Sequence, residues 1–127
     1  MKCRYLLDAS SLYPLLLFEK TFSSEQCVVS FLTELEIGNT LWKEAKDGRI
    51  DYKLAAKTFS DTLSELKKIS ASGISDVLKI AIERNLTFYD ATYACIAEKE
   101  GLLLVTEDME LLKKCKCAIR TKDIEDL

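Results

Sequence analysis

The chain alternates short apolar runs with longer stretches in which apolar residues return every three or four positions. Cys3 to Leu7 is mostly apolar and shows no two-residue alternation, the pattern of a strand buried on both faces of a parallel sheet. Asp8 closes it. Ser10 or Ser11 is placed to cap a helix running to about Phe18, with Pro14 near the first turn, where proline is tolerated. Residues Glu19 to Gln26 are polar and loop-like. Cys27 to Ser30 reads as a second strand, after which Leu32, Leu35, Leu41, Trp42 and Ala45 follow helical spacing up to the stop signal Asp47-Gly48.

Asp51 opens a longer helix whose stripe Ala55, Phe59, Leu63, Leu66 extends to near Ile69, overlapping a brief strand around Lys68 to Ala71. Gly73 interrupts the chain before a helix from about Ser75 to Arg84 that carries Val77, Leu78, Ala81 and Ile82. Thr87 stands three residues ahead of Asp90, a capping-box-like start for a helix with inner face Tyr93, Ala94, Ile96 and Ala97, stopped by Gly101. Leu102 to Val105 is the clearest buried strand. A short helix to Lys114 and an edge strand Cys117 to Ile119 complete the pattern. Strands alternating with helices imply right-handed crossovers, hence an α/β fold with a central, mainly parallel sheet of four to five short strands covered by helices on both faces. With no internal repeat or linker, the 127 residues are expected to form a single domain, 1–127.

Composition narrows the chemistry. A net charge of −3 and a pI near 5.1 argue against bulk coating of nucleic acid, which rests on Lys and Arg neutralising phosphates, while leaving room for contact with a short stretch of RNA. The N-terminal run does not read as a signal peptide and no window approaches eighteen uncharged apolar residues, so a cytoplasmic protein with no membrane contact is expected. The five cysteines include no C-x-x-C pair, and the Cys115, Cys117 spacing suits neither a zinc knuckle nor a redox motif; they read as small buried hydrophobes. Histidine is absent. That removes a Ser-His-Asp triad, a Cys-His pair and any His-ligated zinc or iron site, leaving carboxylates, Lys, Tyr, Ser, Thr and Cys.

Ligands of open α/β sheets bind beyond the carboxyl ends of the strands. Asp8 directly follows the first strand, and Asp108 lies three residues past the Leu102 to Val105 strand. Asp90 is in the first turn of its helix, which reaches the same edge if the helix runs antiparallel to the next strand. Glu36 follows the second strand and shares a helical face with Asn39 and Lys43. Each acid alone has an ordinary explanation as a cap, a helix-dipole partner or a solvated position. Carboxylates gathered in one cleft instead repel until some protonate or a multivalent cation binds, and an oxygen-only donor set favours Mg²⁺ or Mn²⁺. Such an ion activates water and neutralises phosphodiester charge, which suits a nuclease. Lys43, Arg84, Lys113 or Lys114 offers positive charge for an RNA backbone.

Four strings carry a resemblance: Tyr5-Leu6-Leu7-Asp8-Ala9-Ser10-Ser11, Thr33 to Lys43 around Glu36, Phe88-Tyr89-Asp90-Ala91-Thr92-Tyr93, and Leu104-Val105-Thr106-Glu107-Asp108-Met109-Glu110-Leu111. In order and kind they resemble the acidic motifs of the PIN domain family, most of all VapC-type toxins. The resemblance covers residues 3 to about 112. It implies a three-layer α/β/α PIN-like domain and a Mg²⁺- or Mn²⁺-dependent endoribonuclease, with Asp8, Glu36, Asp90 and Asp108 as metal-binding acids and Ser10 and Thr106 as polar supports. Asn39 and Lys43, the latter toward the RNA backbone, complete the candidate set. Glu107 competes with Asp108, and Glu34 with Glu36, although a two-residue shift turns a helical side chain by about 200°. A homodimer and an inhibiting antitoxin partner are further implications. The competing expectations are a catalytically weak PIN-like RNA-binding or scaffold module and, more remotely, a phosphatase with Asp8 as nucleophile. The latter expects an acid where this chain has Ser10.

Overall fold

A computed structural model describes residues 3–17, 24–71 and 73–124. Five short strands, β1 (Tyr5–Leu7), β2 (Cys27–Ser30), β3 (Lys67–Ile69), β4 (Leu103–Val105) and β5 (Ala118–Ile119), form one sheet in the order β3-β2-β1-β4-β5, with every pairing parallel. The helices between them are α1 (Ala9–Leu17), α2 (Phe31–Lys46), α3 (Tyr52–Glu65), α4 (Ile74–Arg84), α5 (Phe88–Glu100) and α6 (Met109–Lys114). This is the expected three-layer α/β/α architecture.

Alternation along the strands divides the core. Leu6, Val28 and Leu104 point to one face and pack with Val77 and Ala81 of α4, Ala94 and Ala97 of α5, and Leu111 of α6. Tyr5, Leu7, Val29 and Val105 point to the other, where Leu12 of α1, Ile37 of α2 and Phe59 and Leu63 of α3 cover them. Burying each such aliphatic side chain stabilises the fold by about 1.5–3 kcal/mol. The central position of β1, with both neighbours hydrogen-bonded to it, accounts for its unbroken apolar run.

Some boundaries differ from the sequence reading. The first helix starts at Ala9 because Asp8 takes the capping position: its Oδ1 accepts from the Ser11 amide at 3.0 Å. Pro14 therefore lies inside α1, past the first turn. The expected helix end at Phe18 and residues 18–23 of the following loop lie outside the described residues. The third helix ends at Glu65, four residues short of Ile69. Leu66 is buried as the stripe suggests, but in extended conformation, leading directly into β3. On α2 the buried positions are Thr33 and Ile37, whereas Leu35 and Trp42 are exposed; on α4, Leu78 and Ile82 are exposed beside buried Val77 and Ala81.

Candidate active site

Strand register builds the site. Leu7 pairs with both Val29 and Val105, so the next residue on each strand, Asp8, Ser30 and Thr106, stands at one edge of the sheet. All strands being parallel, this is the carboxyl edge, and the loops leaving it feed α1, α2 and α6. The cleft there has a volume of about 590 Å³. Asp8, Ser10, Glu36, Asn39, Asp90 and Asp108 all line it, together with Tyr13, Leu32, Leu35, Tyr89 and Tyr93.

Asp8 is 4% exposed. Its Oδ1 accepts from Ser10 Oγ at 2.8 Å and the Ser11 amide at 3.0 Å, and its Oδ2 accepts from Thr106 Oγ1 at 2.5 Å. Ser10 also accepts from the Glu107 amide at 2.9 Å, tying the start of α1 to the loop after β4. Burial nevertheless pushes the Asp8 carboxyl above its ordinary range, outweighing the hydrogen bonds from Thr106, Ser10 and Ser11 that favour its charge.

Glu36 is half-buried one turn into α2. Burial raises its pKa, the hydrogen bond from Tyr93 opposes that rise, and the negative charges of Asp8, Asp90 and Asp108 raise it further. Asp90 follows the same pattern: burial raises it first, then the charges of Asp108 and Asp8. Its amide donates to Thr87 Oγ1 at 3.1 Å, as a capped helix start requires. Asp108 caps α6 through Oδ1 alone, accepting from the Glu110 and Leu111 amides at 2.9 and 3.0 Å, while still lining the cleft. The capping explanation for Asp8 is therefore correct as far as it goes, Asp108 sits at the positive end of α6 as its dipole favours and caps it besides, and both are compatible with a second role.

The rival acids face elsewhere. Glu34 is exposed and lies 3.5 Å from Lys68 Nζ. Glu107 accepts from the Thr121 amide through Oε2 at 2.8 Å. Lys43 is exposed and is not among the residues lining the cleft. Arg84 pairs with Glu98, and Lys114 with Glu110.

Two participants were missed in the sequence. Tyr93 reads as a packing residue and is only 1% exposed, yet its phenol donates to Glu36. Thr33 is fully buried, and its hydroxyl lies 3.1 Å from both Tyr93 Oη and the Leu7 carbonyl, accepting also from the Ser30 amide at 3.2 Å. Its position three residues before Glu36 on one helix was the available signal.

The described donors of the cleft fit a hard cation: carboxylate oxygens with no nitrogen or sulfur among them, three of the four held above their ordinary range by burial first and, for Glu36 and Asp90, by neighbouring negative charge as well. Among the described residues, no helix is long and apolar enough to cross a membrane.

No family model matches the chain. It is 46% identical over 129 residues to the exonuclease VapC9 of Pyrobaculum aerophilum, an alignment covering all of this chain and 95% of that protein. It is 29% identical to the ribonuclease VapC3 of the same organism, over 87% of this chain and 94% of the relative. The crystal structure of PAE2754 from Pyrobaculum aerophilum superposes with a TM-score of 0.90 at 44% identity, covering 96% of this chain and 93% of that one. A toxin–antitoxin complex from Klebsiella pneumoniae shares the fold at a TM-score of 0.64 and 18% identity, over 94% and 99% of the two chains.

Proposed function

Because this chain belongs to the VapC family, we propose that it is a metal-dependent ribonuclease of PIN type, the toxin of a toxin–antitoxin pair acting in the cytoplasm as a single domain. The observation that carries this reading is electrostatic. Glu36 lies close enough to Asp8, Asp90 and Asp108 for all three charges to raise its pKa inside one cleft. Four carboxylates there are relieved either by protons or by a cation, and Mg²⁺ or Mn²⁺ suits an all-oxygen set. Asp8, Glu36, Asp90 and Asp108 hold the ion, which when bound supplies Lewis acidity toward a phosphodiester.

The chain's own residues do the rest. Ser10 and Thr106 fix both oxygens of Asp8, so that the carboxylate meets its ligand without reorganising. Tyr93 holds one oxygen of Glu36, which lines the cleft, and the other oxygen is the one offered to the ion. Asn39 offers an amide on the same helix, and Lys43, further along it, contacts the RNA backbone outside the cleft. Exposed Leu35 at the cleft and Trp42 two turns along α2 suit an antitoxin segment, and the exposed stripe Ile74, Leu78, Ile82 of α4 suits a homodimer contact.

Both ends of the RNA and its interior are open to attack in principle, and the two relatives carry different names, exonuclease and ribonuclease. Incubation of linear and circular RNA with Mn²⁺ separates these modes. An endoribonuclease cuts both, whereas an exonuclease spares the circle. Asp8→Asn abolishes cleavage of either; equal cleavage by that variant assigns the activity to a contaminant and removes the proposal.

A further inference from the structure

The edge of the sheet opposite the acidic cleft holds a second cluster. Glu98 near the end of α5, Cys115 at the end of α6 and Cys117 in the turn before β5 bring one carboxylate oxygen and two sulfurs within 4.8 Å of one another. Cys115 Sγ is 3.1 Å from Cys117 Sγ and 3.6 Å from Glu98 Oε2. The spacing of the two cysteines alone suggested no site, because the third donor comes from a helix seventeen residues upstream.

We propose that Glu98, Cys115 and Cys117 form a site for a thiophilic divalent cation of the zinc class, independent of the reading given to the acidic cleft.

The surroundings support it in three ways. First, the turn is tied by backbone hydrogen bonds: the Ala118 amide donates to the Cys115 carbonyl at 3.1 Å, and the Leu104 amide donates to the Cys117 carbonyl at 3.0 Å. The two thiols thus face one another from a turn anchored on the sheet. Second, Glu98 is oriented by a bidentate pair with Arg84, at 2.6 Å from Nη1 to Oε2 and 2.8 Å from Nη2 to Oε1. A carboxylate oxygen has two lone pairs, so Oε2 can accept from Arg84 and still ligate, the arrangement in which an outer partner fixes a ligand. Third, two thiolates, one carboxylate, one guanidinium and one divalent ion together carry no net charge.

Distances fit with a small adjustment. Tetrahedral zinc with sulfur at about 2.3 Å and oxygen at about 2.0–2.2 Å sets its ligands roughly 3.5–3.8 Å apart. The sulfur–oxygen separation already matches, and the sulfurs need to part by about half an ångström, within reach of a small side-chain rotation. Cys115 is buried, Cys117 half-buried and Glu98 exposed, so solvent can fill the fourth position. Thiolate sulfur selects this class of ion over Mg²⁺, leaving the two edges with different metal preferences. The same two helices carry both: α5 bears Asp90 at its first turn and Glu98 near its last, and α6 is flanked by its caps Asp108 and Cys115.

The test uses the full chain, reduced and stripped with chelator, titrated with Cd²⁺ while the ultraviolet thiolate-to-cadmium band is followed. The band is expected to saturate at one ion per chain, to persist in Cys3→Ser and Asp8→Asn, and to vanish in Cys117→Ser. In the Asp8→Asn background, Zn²⁺ should raise the melting temperature, and adding Cys117→Ser should remove that rise. X-ray absorption on the native chain loaded with one equivalent of Zn²⁺ needs no variant and is expected to show two sulfur neighbours, with oxygen completing the shell. Absence of the band, its survival in Cys117→Ser, or a shell of oxygen alone overturns the site.

Discussion

The phenol of Tyr93 on α5 donates a hydrogen bond of 2.5 Å to Glu36 Oε1 on α2, joining residues 57 positions apart across the floor of the cleft. Burial first, and then the hydrogen bond to Glu36, hold the Tyr93 hydroxyl far above its ordinary pKa, so the proton stays on the phenol. Thr33 links this pair to the Leu7 carbonyl, one residue before Asp8.

Tyr93→Phe keeps the ring and deletes the bond. Loss of an outer partner typically weakens metal binding by about 10–100-fold. The Mn²⁺ concentration giving half-maximal RNA cleavage is expected to rise by that order, with the rate recovering at saturation. The melting temperature should fall by no more than about 10 °C, since one hydrogen bond to a charged group contributes about 1.5–3 kcal/mol at most. A loss of rate that excess Mn²⁺ does not restore is inconsistent with a positioning role.

Stability without metal should depend on pH with a defined sign. Glu36, Asp8 and Asp90 are all raised in the folded chain, so the folded state binds their protons more tightly than the unfolded one. Their contribution is complete below the unfolded values of about 3.9 for Asp and 4.3 for Glu, and is lost as pH rises through the raised folded values. In chelator, the native chain should therefore lose stability relative to Glu36→Gln as pH climbs from about 4 toward neutrality. Excess Mg²⁺ or Mn²⁺ should erase that difference. Denaturant midpoints across the range, with and without metal, provide the check.

Asp108 combines two tasks that substitution can separate. Asn keeps an oxygen for the Glu110 and Leu111 amides, whereas Ala removes the cap at a cost of about 1 kcal/mol. Asp108→Asn and Asp108→Ala should lose cleavage alike, while only Asp108→Ala loses measurable stability in chelator. Full activity in Asp108→Asn would leave the residue as a cap and nothing more.

Lys43 should act on affinity rather than on chemistry. If it meets one phosphate, Lys43→Ala lowers the slope of log affinity against log salt by roughly one unit, with little change in the maximal rate. An unchanged slope removes it from the RNA path.

The sheet and the edge carrying the acids were legible because apolar runs stop abruptly: Leu7 gives way to Asp8 and Val105 to Thr106 within one residue, and parallel register turns those endings into neighbours. The third helix was harder. Leu66 continues a helical stripe in sequence, yet a buried extended residue satisfies the same apolar requirement, so periodicity alone does not locate the end of α3. Leu35 and Trp42 extend the apolar character of α2 on a side the core does not need, since Ile37 and Thr33 already meet it. Candidate acids could be named from local strings, but the partners that orient them could not. Tyr93 with Glu36, and Glu98 with Cys115, are contacts made by folding between distant segments.

The central claim is that the four acids share one hard cation. Calorimetric titration of the metal-free chain with Mn²⁺ tests it directly, beside Asp8→Asn with its fold verified by its melting curve. The account predicts saturable binding that Asp8→Asn weakens by more than the roughly 10–100-fold typical of losing an outer-shell partner. No binding by the native chain, or equal binding by the two, contradicts it.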